Sequence, residues 1–183
     1  MLRPSGKAPT PSDTALGDWY VNRVVVDRQP LLLLVSSASL FPIIVPARDV
    51  RSLPAKLASL AEGRLKRLDV DESIVDREIA EMGTVVIGQT VDRSVLGIMV
   101  DFAKGIPYYL EPGRWDETTL RMVEQRLAET PCHAARSSDG VIVPETKAPE
   151  LLRAKWLAHA PLHATSSRLP TRALARRLRP GAR

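Results

Sequence analysis

Five consecutive apolar residues, Leu31-Leu32-Leu33-Leu34-Val35, leave this stretch of the chain without a polar face. Alternate side chains of a strand point to opposite sides, so such a run predicts a strand buried on both faces. Turn residues bound it: Asp27-Arg28-Gln29-Pro30 before, and Ser36, Ser37 and Ser39 after. The preceding segment, Trp19 to Asp27, is dominated by Tyr20 and the β-branched Val21, Val24, Val25 and Val26, and reads as a second strand. A third run, Leu40 to Val45, contains Pro42, which cannot donate a ladder hydrogen bond. That strand therefore lies at an edge or starts at the proline. Together the three make an antiparallel meander, and each run is far shorter than the ~20 residues needed to cross a bilayer.

Beyond residue 50 the apolar spacing becomes helical. Leu53, Leu57, Leu60, Leu65 and Leu68 form one stripe, with Pro54 suited to a first turn. Asp69 and Glu72 resemble a capping box for a second helix carrying Ile74, Val75, Ile79 and Met82, stopped by Gly83. Thr84 to Thr90 is β-branched and predicts a fourth strand. Asp92 or Ser94 caps a third helix that stops at Gly105, and Ile106 to Leu110 predicts a short strand after it. Asp116 caps a fourth helix with Leu120, Val123 and Leu127, ending before Pro131. Residues 134–147 read as a loop in which Val141-Ile142-Val143 can pair with the sheet, and Pro149 and Glu150 open a last helix. The fold class expected is α+β, an antiparallel meander sheet of four to five strands packed with four to five helices.

Charge divides the chain further. The net charge is +5, yet residues 151–183 carry eight basic side chains and no acid, so residues 1–150 carry −3. The expected organisation is a disordered leader over 1–15, a single α+β domain over 16–157, and a disordered arginine-rich tail over 158–183. One cysteine, Cys132, excludes an intrachain disulfide and a four-cysteine zinc site, and permits the cytosol. No apolar stretch follows the basic residues of the N-terminus, so a secretory signal is not expected and the location expected is cytoplasmic.

Four segments taken in order carry a resemblance. They are Leu16-Gly17-Asp18-Trp19-Tyr20-Val21-Asn22, Ser39 to Pro46, Arg93 to Phe102, and Arg126-Leu127-Ala128-Glu129-Thr130-Pro131. This ordered set resembles the bacterial domain of unknown function 6933 family, whose pattern has an LGDW opening, an LF-apolar-VP strand, an RSVLG helix start and a late ETP segment. The resemblance implies no activity. The chain departs from the pattern at Val91, Val100 and Ala128, where the family often carries asparagine.

Candidate sites follow from individual residues. At Thr90-Val91-Asp92-Arg93-Ser94 a helix N-terminus with Arg93 offers anion binding; alternatively Asp92 or Ser94 simply caps the helix and Arg93 pairs with Asp18 or Asp101. Asp18, Asp27, Asp92 and Asp101 would have to converge to hold Mg²⁺, and nothing in their spacing compels that. Trp19 and Tyr20 point to opposite faces of their strand, so one ring enters the core, and Trp19 with Asn22 and Arg93 can form a recognition pocket only if they meet. Cys132 and His133 are adjacent, which suits a nucleophile and base poorly. His159 and His163 have helical ligand spacing, but Pro161 interrupts it. The tail arginines Arg168, Arg172, Arg176, Arg177 and Arg179 can neutralise nucleic-acid phosphates, or can be mere composition at a terminus.

No catalytic, metal, cofactor or nucleotide motif stands out. The sequence therefore leaves the function unknown and points first to a non-enzymatic binding or regulatory module, with an anion- or partner-binding surface near Arg93. The alternatives are a small metal-assisted hydrolase or nuclease using Asp18, Asp92, Arg93, Ser94 and Asp101, and a nucleic-acid binder acting through the tail.

Overall fold

The computed structural model describes residues 12–48, 50–83, 85–90, 92–110, 113–133 and 140–158. The arginine-rich tail, His159, His163 and most of the leader lie outside the described residues.

The apolar run forms the middle of a three-stranded antiparallel sheet in the order β1-β2-β3, with β1 Trp19–Val26, β2 Gln29–Ser36 and β3 Pro42–Pro46. Leu31 to Val35 are at most 3% exposed, because helices cover both faces. On one face Leu31, Leu33 and Val35, with Val24, Val26 and Ile44, pack against α3 (Arg93–Tyr109) and α4 (Glu117–Ala128). On the other, Leu32, Leu34 and Ile43 pack against α1 (Leu53–Leu65), α2 (Glu72–Glu81) and α5 (Pro144–Ala158). The register carries this alternation across the sheet, since Leu33 pairs with Asn22 and Ile44, and Leu34 with Val21 and Ile43. Each fully buried leucine here contributes roughly 1.5–3 kcal/mol of burial free energy.

The β1–β2 turn is shorter than the sequence suggests. Val26 pairs with Gln29, leaving only Asp27 (φ 47°) and Arg28 (φ 66°) in the loop, while Gln29 and Pro30 belong to β2. Two positive φ values define the turn that suits Asn-Gly, and an arginine there is strained. Arg28→Gly is expected to raise stability by about 1 kcal/mol in urea unfolding. An unchanged or lower midpoint would contradict that.

Three strands form among the described residues, not four or five. Residues 85–90 are not a strand: Val85 packs into the α1/α2/α5 side, while α3 begins on the opposite face, so the segment serves as the crossover between the two helical layers. Ile106 to Leu110 is not a strand either. α3 runs on through Gly105 to Tyr109, because Ile106 extends the buried stripe of Val95, Met99 and Phe102. Gly105 assists, since a Cβ there would meet Leu127 Cδ2 of α4 at 3.4 Å, and the helix tolerates Pro107 at the loss of one backbone bond. The α2 cap is Asp71, which accepts from Ser73 N, rather than Asp69. α5 starts at Pro144 and carries Pro149 inside it. Ile142 pairs with Cys132 as an isolated bridge rather than with the sheet. No helix among the described residues is long and apolar enough to cross a membrane.

Candidate functional site

The residues singled out in the sequence are spread over both faces of the sheet. Asp18 is held at the β2–β3 turn: its N–H donates to Ser37 Oγ (2.9 Å) and its carbonyl accepts from Ser37 N (2.8 Å). Gly17 beside it has φ +73° and lies so close to Ser37 that an added Cβ would come within 2.4 Å of the hydroxyl oxygen. Trp19 packs on the α1/α2/α5 side, whereas Tyr20 faces α3 and Asn22 is exposed on that same side. The sheet thus separates the Trp19 ring from α3. Asp92 Oδ1 accepts from Ser94 N (2.9 Å) and Val95 N (3.5 Å), so a carboxylate already occupies the position where an anion would meet the α3 N-terminus. Arg93 is exposed. Asp101, also exposed, pairs with Lys104 at 3.6 Å and lies nine residues along the same helix from Asp92, about 13 Å further on. Among the described residues no three His, Cys, Asp or Glu side chains gather as cation ligands.

A different site is built at the edge of β3. α1 lies on one side of the sheet and α4 on the other, and β3 runs between them. The cleft they leave is open to solvent and holds about 460 Å³, within the range of small-ligand sites. Its floor is apolar, with Leu32, Ile44 and Val45 from the sheet, Leu53 and Leu60 from α1, and Leu120 from α4. Arg48, Ser52 and Lys56 enter from the β3–α1 side, and Trp115, Asp116 and Glu117 from the start of α4. The two carboxylates are engaged already. Asp116 caps α4 by accepting from Thr119 N and Oγ1 (both 3.0 Å), which holds its carboxyl below the usual range. Glu117 pairs with Arg121, which lowers its carboxyl likewise. Arg48 and Lys56 are exposed and enter no ion pair among the described residues.

A buried clamp closes this edge. Glu124 of α4 accepts from Ile44 N of β3 at 2.7 Å and from Arg64 Nε and Nη2 of α1 at 3.2 Å, with Arg67 Nη1 at 3.9 Å. One carboxylate therefore joins three elements and satisfies an edge amide that would otherwise invite strand addition. Burial pushes the Glu124 carboxyl above its ordinary 4.5, against the hydrogen bond from Ile44 and the charge of Arg64. Burial also lowers Arg67, helped by the neighbouring charges of Arg64 and Arg121.

A smaller groove of about 200 Å³ lies between α3 and the 130–133 segment, lined by Asp101, Phe102, Tyr109, Cys132 and His133 among others. Cys132 is 4% exposed and its thiol donates to Thr130 O at 3.3 Å rather than to His133. Burial, with the Asp101 charge, pushes the thiol up to about 11. Reactivity follows the thiolate fraction, so at pH 8 iodoacetamide should alkylate the native protein about a hundredfold more slowly than the unfolded chain. Comparable rates would contradict this.

Glu78, Glu124, Arg48, Lys56, Arg64 and Trp115 escaped the sequence reading. For the two glutamates a signal existed: Glu78 follows Ile74 by four residues, and Glu124 follows Leu120 by four, so each acid sits on the buried stripe of its helix. An acid there requires a buried partner. The cleft cations carried no such signal, because they converge only when β3 and α1 are placed.

No curated protein and no solved structure matches the chain. The family model described as domain of unknown function (DUF6933) matches residues 2–147, a span that includes all three strands, the Glu124 clamp and every residue lining the cleft. The chain belongs to that family.

Proposed function

We propose that the protein is a non-catalytic binding module that takes an anionic ligand into the cleft between α1, β3 and α4. The supporting observation is the pair Arg48 and Lys56, exposed beside an apolar floor and free of ion pairs among the described residues, on a body that carries −3. Two cations lining one cleft of a neutral or acidic surface focus the potential that an anion follows. The α3 start is a poorer anion site, since Asp92 fills it with negative charge. The reading carries a cytoplasmic location with it, which one unpaired cysteine permits.

Titration of the full chain with inorganic pyrophosphate tests it. The expected result is binding that weakens at least tenfold in the Arg48→Ala/Lys56→Ala variant while the unfolding temperature stays within a few degrees. Equal affinity in the two proteins would overturn the reading.

A further inference from the structure

Resting on that reading of the cleft, we infer that its ligand is an aryl anion: a phosphate or carboxylate head held by Arg48 and Lys56, and a flat ring held against Trp115. The cleft is polarised. Its cations come from the β3–α1 side, whereas the α4 side brings Asp116 and Glu117, each already committed, so an anionic head is drawn to one side only. A ligand oriented this way extends its body over Ile44, Val45 and Leu120 toward Trp115. The indole is half-buried and packed against the α3/α4 core, so it is held in place before anything binds. Arg64 also lines the cleft, but its guanidinium is spent on Glu124, which leaves the head to Arg48 and Lys56.

Entropy favours a ring over a chain as the body of that ligand. A flexible alkyl chain must freeze several rotors to lie in a cleft of about 460 Å³, whereas a rigid ring freezes almost none and gains stacking on Trp115. An aliphatic floor accepts either; the indole of Trp115 in the lining distinguishes them.

Three probes with one head group separate the possibilities: inorganic phosphate, octyl phosphate and 1-naphthyl phosphate, each titrated against the full chain by calorimetry. The expected order places 1-naphthyl phosphate at least tenfold tighter than either of the others. Trp115→Leu should abolish that margin while leaving phosphate affinity unchanged, and Trp115→Phe, which keeps a ring, should retain part of it. Octyl phosphate binding as tightly as the naphthyl ester, or a margin that survives Trp115→Leu, would overturn the inference. Phosphate binding with no gain from the ring defeats this inference alone; no binding by any probe defeats the cleft reading as well.

Discussion

Replacing Glu78 with alanine is expected to lower unfolding free energy by about 3–5 kcal/mol, a large part of the ~5–15 kcal/mol typical of a domain. Glu78 is 1% exposed and accepts three hydrogen bonds, from Ala15 N (2.8 Å), Leu16 N (2.9 Å) and Trp156 Nε1 (2.9 Å). It therefore joins α2, the segment that enters β1, and α5. Alanine leaves all three donors without their acceptor, and a buried donor stripped of its partner costs about 1–3 kcal/mol. Glu78→Gln keeps one acceptor oxygen and presents an amide N–H₂ to a donor, so its loss should be intermediate. Urea unfolding measures the loss, and hydrogen exchange at the Leu16 amide locates it: exchange should accelerate in Glu78→Ala. A loss under 1 kcal/mol, or an unchanged Leu16 amide, would contradict this account.

The second large effect is expected at Glu124. Its alanine variant strands the Arg64 guanidinium, whose side chain is 10% exposed, and leaves Ile44 N at the β3 edge without its acceptor. Removing one partner of a buried ion pair costs about 3–5 kcal/mol. The pH dependence has a definite sign. Burial raises the carboxyl in the folded state above its ordinary 4.5, so the folded protein holds this proton more tightly than the unfolded chain. Stability from this group is then fully present below about pH 4.5 and is lost as pH rises through the higher folded value. Measured against Glu124→Gln, which cannot titrate, the wild type should lose relative stability across that window. A relative gain with rising pH would contradict it. Glu124→Gln also weakens the hold on Arg64, so pyrophosphate should bind that variant more tightly than wild type.

The meander was legible because β2 is apolar at every position from Leu31 to Val35, which only a strand covered on both faces can satisfy. Helix starts at Asp92 and Asp116 were legible for a local reason, since each cap is set by a side chain bonding its own next turn. What the sequence did not convey depends on contacts between distant segments. Val85 to Thr90 has the composition of a strand, but Val85 packs on the α1/α2/α5 side and the segment leads across to α3 on the other without forming one. Ile106 to Leu110 follows a glycine and contains a proline, yet packing of Ile106 and Leu110 carries the helix on or closes it. The cleft is the extreme case. Arg48, Lys56, Arg64 and Trp115 span 68 positions of sequence and become neighbours only because β3 places α1 and α4 on its two sides.

The resemblance motifs gained a physical meaning at one point. Leu16 to Asp18 is strapped to the β2–β3 turn, through Ala38 N to Leu16 O (3.1 Å) and the Ser37 bonds to Asp18, so the first motif is tied to the turn that leads into the second. Ser36 and Ser39 finish that joint from inside, with their hydroxyls 2.6 Å apart and Phe41 N donating to Ser36 Oγ.

Titration of the uniformly ¹⁵N-labelled full chain with inorganic pyrophosphate, followed amide by amide, locates the bound anion. Binding in the cleft predicts saturable shifts concentrated in residues 44–64 and 115–120, with Asp92 to Val95 unmoved. Shifts centred on Arg93 or confined to the arginines beyond residue 158, with the cleft amides silent, would contradict it.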